Sequence, residues 1–417
     1  MNVKIGKSPL NKGQVRIISS KSDGHRSLIA AALAEEESVL FVDGWSDDLE
    51  ATVRCLEGLG AEIYKEPSGI EVVPIPRNLE KEAVLDCGES GSTLRFLLPV
   101  VAALGCGGEF LLRGRLPQRP LSPLQELLEE KGIELTRPQK DRLLLRGKLR
   151  GGDLAIGGNI SSQFITGLLL ALPLLEEDSA IRLTSPLESA PYVELTLSVL
   201  RLFGLRMPPY HGGWLIPGGL SYRSPGRLQA EGDWSNAAFW LCAGAICDTV
   251  EVEGLDPNST QGDRAILSIL EQFGAKLQWE GDILRVSPGQ LRGIELDARQ
   301  IPDLVPPVAL LAACAEGCTR IRGAERLRLK ESDRLESICG ALRSLGGRAE
   351  VTEEGLEIYG GKLFGGRVRS CNDHRIAMLG AVASSVCSAS VMIIGAEAVE
   401  KSYPDFWEDL ESLQVER

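Results

Sequence analysis

A glycine that closes an amphipathic helical stretch recurs five times along the chain, at Gly60, Gly132, Gly204, Gly274 and Gly346, at intervals of 72, 72, 70 and 72 residues. The stretches before it read LEGLG, LLEEKG, VLRLFG, ILEQFG and ALRSLG, and a short apolar segment follows each. Helices commonly end on a left-handed residue, a conformation open to glycine without a steric penalty, which explains the residue type at this position. A sixth copy, DFWEDLESL, reaches Leu413 near the end of the chain. Ahead of each copy lies a second element, a compact Ala/Leu-rich helix opened by small polar or acidic residues. Ser22, Ser92, Ser162, Ser235, Asp303 and His374 mark it, at intervals of 70, 70, 73, 68 and 71. Two independent elements with one period define six units of about 70 residues each.

The first helix of each unit is apolar round most of its circumference and is expected to be buried, whereas the second is amphipathic and covers the outside. Stretches such as GIEVVPI, AIRLTS, TVEVEG, ILRVSP, GLEIYG and SVMIIG read as strands. The fold class is α/β, with βαβαβ-like units. Six similar units predict two domains of three, with a junction near residues 229–233: 20–230 as one domain, and 1–19 plus 231–417 as the other. The first 19 residues stand outside the repeat and are expected to give a strand to one domain and a crossing to the other. Ligands are expected in a cleft between the halves.

Composition removes several classes of function. Forty-five Lys and Arg against 58 Asp and Glu leave a net charge of −13, whose field repels nucleic acid and anionic lipid. An anionic ligand therefore needs a local basic cluster. The longest apolar run, residues 164–175, falls short of the roughly 20 residues that span a bilayer, and MNVKIGKSPLNKGQVRII lacks the apolar core of a secretory signal. Neither export nor a membrane is expected, and the reading is a cytoplasmic monomer. Ten Cys without a CxxC pair read as reduced thiols, and three His without HExxH spacing predict no metal site.

Buried helices present free N–H groups and about half a positive charge at their N-termini, which suits anions. The residues there fit: Lys21, Ser22 and Arg26; Gly91, Ser92, Thr93 and Arg95; Ser161, Ser162 and Gln163; Asp303; His374 and Arg375. Ser and Asp are also ordinary N-caps, but in three of the six cases a basic residue lies within a turn of the cap. Ser22 and Arg26, at i and i+4, are expected to place a hydroxyl and a guanidinium on one face for phosphate or carboxylate. In RLRLKESDRLESI, helical spacing predicts Lys330 and Arg334 on one face, Glu331 beside Lys330, and Asp333 orienting an Arg.

In chain order, SKSDGHR, CGESGSTLRF, the Gln118-Arg119-Pro120 turn, SSQFITGLLLALP, SAPYVELTL, EGDWSNAAF, NSTQGD, IPDLVP, LRLKESDR, DHRIAM and KSYPDF resemble the 5-enolpyruvylshikimate-3-phosphate synthases, enolpyruvyl transferases of the shikimate pathway. The likeness covers nearly the whole chain. It implies two similar domains, each of three repeated βαβαββ units with buried parallel helices, an inside-out α/β barrel closing on ligand. It also implies shikimate 3-phosphate held by Lys21, Ser22, Arg26, Ser161, Ser162, Gln163, Ser189, Tyr192, Asp303 and Lys330. Phosphoenolpyruvate would meet Lys21, Gly91, Arg119, Gln163, Arg334, His374, Arg375 and Lys401. The implied chemistry is addition followed by elimination, with Asp303 taking the hydroxyl proton and Glu331, Lys21 or Lys401 handling the proton on carbon. No metal or organic cofactor is implied.

Two positions depart from the family pattern. Glu89 stands where many members carry Asn, and Arg326 where some carry an Asn that contacts the shikimate phosphate. Two rival readings are a transferase acting on UDP-N-acetylglucosamine, for which Cys106 lies roughly where a reactive loop cysteine is expected, and a non-catalytic repeat protein that binds anions. Asp303 and Glu331 inside a basic cluster argue against a pure anion binder.

Overall fold

The computed structural model describes residues 1–7, 10–66, 69–77 and 82–414. It divides into two compact units: a continuous one, Lys21–Ala230, and a discontinuous one, Met1–Ser20 with Glu231–Arg417. Among the described residues there are twelve α-helices: α1 (Lys21–Ala32), α2 (Asp47–Gly58), α3 (Gly91–Leu104), α4 (Leu124–Glu130), α5 (Ser162–Ala171), α6 (Ala190–Leu202), α7 (Trp234–Ile246), α8 (Ile266–Phe273), α9 (Val305–Cys314), α10 (Arg334–Ser344), α11 (His374–Ala383) and α12 (Phe406–Gln414). The odd-numbered helices are the buried ones: ten of the twelve residues of α1 and all ten of α11 are buried. The even-numbered helices are amphipathic. The repeated glycines close α2, α4, α6, α8 and α10 with φ of 92°, 99°, 81°, 100° and 86°, the left-handed geometry that selects glycine.

One repeat shows the plan. Strand Ala83–Gly88 leads into α3 and then into Gly108–Leu112, parallel to the first; α4 follows, and Ile133–Gln139 and Arg142–Gly147 return as an antiparallel hairpin. The βαβαββ order recurs around Gly152–Ile156 and Ser179–Leu183, and around Glu295–Asp297 and Cys318–Arg322. Each parallel pair is joined across a helix, because a hairpin can only reverse direction.

The other three sheets borrow a strand. Arg227–Gln229, after the third repeat, pairs parallel to Ser38–Phe41 of the first. Gly13–Arg16 pairs parallel to Val250–Glu253, and Asn2–Ile5 pairs antiparallel to Val391–Ile394. Residues 1–19 therefore supply two strands, both to the discontinuous unit, where one strand and a crossing were expected. Among the described residues no hairpin follows α12, and the N-terminal strand Asn2–Ile5 is the third strand of the last repeat's sheet.

Inside the continuous unit α3 and α5 pack directly. Gly167 makes this approach feasible, since a Cβ there would sit 2.3 Å from the Arg95 carbonyl oxygen. Inside the discontinuous unit α7, α9 and α11 all touch one another. Trp240 of α7 stacks on Phe406 of α12, with ring centroids 5.0 Å apart, and its indole donates to the Tyr403 hydroxyl at 3.0 Å. No described helix is long and apolar enough to cross a membrane.

Candidate active site

In the discontinuous unit the openings of α7, α9 and α11 converge on one charged cluster. Asp303 lies in the 3-10 turn Pro302–Leu304 that leads into α9. Its Oδ1 accepts from Arg334 Nη1 at 2.8 Å and from Lys330 Nζ at 3.4 Å, and its Oδ2 lies 3.5 Å from Arg375 Nη2. Arg375 Nη1 also donates to the backbone oxygens of Ser235 and Asp303, at 3.5 and 3.3 Å. Three helix openings are thereby tied together by one guanidinium.

Arg334 is the hub. It is only 1% exposed, and its guanidinium reaches Asp303, Glu331 Oε2 at 2.5 Å and both oxygens of Asp373, at 2.9 and 3.2 Å. Burial alone would lower its pKa; Asp373, Glu331 and Asp303 together override that and raise it. Asp373 is fully buried and does double duty, because its Oδ1 caps α11 through the Arg375 N–H while Oδ2 accepts from Ser332 Oγ. Just before it, Cys371 and Asn372 both adopt left-handed backbone, φ 52° and 60°, a strained pair at the mouth of a helix. Lys401 donates to the Asn372 carbonyl at 2.9 Å. His374, the first residue of α11, is buried. Behind these groups the Asp263 carboxyl accepts from Ser235 Oγ; burial, reinforced by Asp303, pushes it up to about 7.

In the continuous unit the charges are held differently. Lys21 opens α1 and donates to Asp48 at 2.9 Å. Arg26 is 2% exposed and turned inward, donating to the Ser22 and Tyr192 carbonyls and to the Thr196 and Thr166 hydroxyls. Gln163, in the first turn of α5, accepts from Arg95 at 2.6 Å and donates to Ser92 at 2.9 Å. Ser161 caps α5 and Ser162 begins it. Ser189 precedes α6 in left-handed backbone, φ 55°, and is 3% exposed, an uncommon conformation for a non-glycine residue. Gly91 begins α3 against the Arg119 guanidinium: a Cβ there would lie 2.5 Å from Arg119 Nη1.

All seventeen residues anticipated from sequence thus fall into these two clusters, one in each unit. One detail differs from expectation. Residues 325–338 are not one helix: Lys330 follows the 3-10 turn Glu325–Leu329, and α10 starts at Arg334. The i+4 relation of Lys330 to Arg334 is therefore not helical, and both donate to Asp303 Oδ1. Asp333 caps α10 on the Glu336 N–H and pairs, as expected, with an Arg, Arg328 at 3.9 Å, while Asp373 orients Arg334. Arg26 donates to the Ser22 carbonyl one turn back and ties α1 to α5 and α6. Of the departing residues, Glu89 rests against Gly114, where a Cβ would lie 2.4 Å from its carboxyl carbon, and Arg326 donates to the Arg299 carbonyl at 2.8 Å. Cys106 follows the C-terminal end of α3, whose fourteen residues put it about 20 Å from Gly91. Asp48, Asp263 and the hydroxyls of Thr166 and Thr196 escaped sequence reasoning. Asp263 stood inside the NSTQGD string, but nothing local distinguishes it from a turn residue.

An inside-out α/β fold with anion-suited helix openings in one unit and a carboxylate–guanidinium cluster in the other defines an enzyme class that works on anionic substrates by proton transfer. The chain matches the family model of EPSP synthase (3-phosphoshikimate 1-carboxyvinyltransferase) over residues 6–410. It is 42% identical over 409 residues to the 3-phosphoshikimate 1-carboxyvinyltransferase of Clostridium perfringens, covering 96% of each chain. The solved EPSP synthase from Acinetobacter baumannii superposes with a TM-score of 0.79 at 26% identity, over 99% of this chain and 98% of that one. The enolpyruvyl transferase NikO from Streptomyces tendae gives a TM-score of 0.78 at 19% identity, over 99% and 97%, and so shares the fold alone. The chain belongs to the EPSP synthase family.

Proposed function

We propose that the chain transfers the enolpyruvyl group of phosphoenolpyruvate to the 5-hydroxyl of shikimate 3-phosphate, releasing phosphate. Protonation of the methylene carbon of phosphoenolpyruvate makes its neighbour electrophilic; the hydroxyl attacks there, and loss of a proton and of phosphate restores the double bond. Asp303 takes the hydroxyl proton. Glu331, Lys21 and Lys401 are the candidates that deliver the proton to carbon and remove it. The Arg119, Arg334 and Arg375 guanidiniums offset charge on the carboxylate and the departing phosphate. Ser22, Ser161, Ser162, Gln163, Ser189, Tyr192 and Lys330 hold shikimate 3-phosphate, with Arg26 holding three of the helices that carry them. Gly91, Gln163, His374 and Lys401 complete the phosphoenolpyruvate set. Both substrates are multiply anionic, and two unit charges 4 Å apart repel by about 4 kcal/mol at an effective dielectric of 20, so interspersed cations are needed.

The observation that carries this reading is a single carboxylate, Asp303, with two guanidiniums and an ammonium within 3.5 Å and Glu331 sharing one of them. A pure anion binder gains nothing from such carboxylates. Phosphate release from phosphoenolpyruvate plus shikimate 3-phosphate tests it directly; release with UDP-N-acetylglucosamine instead would transfer the reading to the rival. The position of Cys106, at the far end of α3, favours the first substrate. Asp303→Ala should lower kcat by about 10³-fold with the fold kept, and unchanged turnover would remove Asp303 as the base. We further infer a cytoplasmic monomer acting on small molecules, a reading to which ten free thiols are suited and which light scattering tests.

A further inference from the structure

We propose that His25 is a positioning residue for the phosphoenolpyruvate end of α3, acting through a buried hydroxyl chain that runs from His25 through Thr52 and Thr93 to Ser90. The proposal rests on the functional reading above for the identity of that ligand. His25 Nδ1 lies 2.7 Å from Thr52 Oγ1, Thr52 Oγ1 lies 2.7 Å from Thr93 Oγ1, and Thr93 Oγ1 lies 2.8 Å from Ser90 Oγ. No member is more than 1% exposed. Ser90 is the N-cap of α3 and also accepts from the Thr93 N–H; Gly91, against Arg119, is the next residue.

The direction of the chain follows from its far end. His25 Nε2 is buried and has no hydrogen-bond partner among the described residues. A buried orphan N–H is rarer than an under-used acceptor, so the proton sits on Nδ1 and is donated to Thr52. Burial first, then Lys21 and Arg26, lower the His25 pKa well below its ordinary value, which keeps the ring neutral. The Thr52 hydroxyl is then left to donate to Thr93. The Thr93 hydroxyl donates to Ser90 at 2.8 Å in preference to the Asp48 carbonyl at 3.4 Å. All these dipoles point the same way, toward the cap of α3, and such chains polarise one another in a low-dielectric interior.

The chain also bridges three helix openings. His25 lies one turn from Lys21 on α1, and Thr52 one turn from Asp48 on α2, the carboxylate that Lys21 holds. It does not reach α5 or α6, which are tied to α1 by the separate Arg26–Thr166–Thr196 set. Two buried networks therefore underlie two groups of ligand-facing residues, the first beneath Gly91 and Arg119, the second beneath Ser161–Gln163 and Ser189; the groups meet above them, where Gln163 bonds Ser92 and Arg95.

Among the described residues the hydroxyl chain shares no hydrogen bond with the Arg26–Thr166–Thr196 set, and that separation gives the test. Thr52→Val keeps the shape and removes the hydroxyl, whereas Thr52→Ser keeps the hydroxyl. In steady-state phosphate-release assays Thr52→Val should raise KM for phosphoenolpyruvate about tenfold, with KM for shikimate 3-phosphate changed less than about twofold, and Thr52→Ser should restore the original value. Equal changes in both constants, no change in either, or a Thr52→Ser as impaired as Thr52→Val would overturn the proposal. Should Thr52→Val fail to fold, His25→Leu must show the same selective rise, and its failure to do so decides against it. No phosphate release by the unaltered chain would instead overturn the functional reading itself.

Discussion

In the continuous unit Arg26 and Arg95 donate to neutral oxygens, those of Thr166, Thr196, Gln163 and the Ser22, Tyr192 and Pro120 carbonyls, whereas in the discontinuous unit Arg334 meets the carboxylates of Asp303, Glu331 and Asp373, and Arg375 meets the Asp303 carboxylate beside two backbone oxygens. Guanidiniums solvated by dipoles keep their positive field, so the continuous unit is arranged to attract anions. Guanidiniums compensated by Asp303, Glu331 and Asp373 leave a cluster near neutrality in which protons can change hands. Lys21 with Asp48 departs from that pattern, a compensated cation at the opening of α1. The difference teaches that repeats of one architecture were put to separate chemical uses through what faces their cations.

The sharpest way to break this comparison is Asp373→Asn, which keeps the α11 cap but removes a buried charge opposite Arg334. It should destabilise the discontinuous unit by about 3 kcal/mol in urea unfolding, since breaking a buried pair leaves a charge uncompensated. A loss near zero would mean that Asp303 and Glu331 compensate Arg334 without help.

Asp263→Asn sharpens the comparison through pH. The Asp263 carboxyl is raised to about 7 in the folded protein. A raised acid binds its proton more tightly when folded, so its stabilising contribution is present below the unfolded-state pKa and is lost as pH rises to about 7. Wild-type stability should therefore fall between pH 5 and pH 8 by about 2 to 3 kcal/mol more than that of the Asn variant. Parallel stability profiles for the two proteins would show that Asp263 ionises normally.

The smallest expected effect belongs to the dipole-solvated side. Thr196→Val removes the acceptor of Arg26 Nε and should cost about 1 to 2 kcal/mol, less than the loss of a charged partner. A cost matching that of Asp373→Asn would erase the distinction between the units.

Much of this was readable beforehand, for local reasons. Helix ends at Gly60 or Gly346 and helix starts at Ser161 or Asp373 declare themselves through φ preference and capping within a turn. The family strings pointed to Asp303 and Glu331, which the fold brings onto one guanidinium, that of Arg334. The segment from Glu325 to Ser344 misled because i+4 charges look alike on a helix and across a turn, and the cap at Asp333 competes for the same residues. The N-terminal strands misled because their partners lie more than 200 residues away: Val15 opposite Val252, Val3 opposite Ile393.

By itself, the sequence determined the period, which helices are buried, and which chemistry stands at their openings, since each depends on patterns within about ten residues of chain. Tertiary packing alone decided the partners. Arg334 takes Asp373, 39 residues on, and Arg26 takes Thr196, 170 residues on. The rotation and depth of packed helices select which acceptor a desolvated guanidinium meets, and no local pattern encodes either.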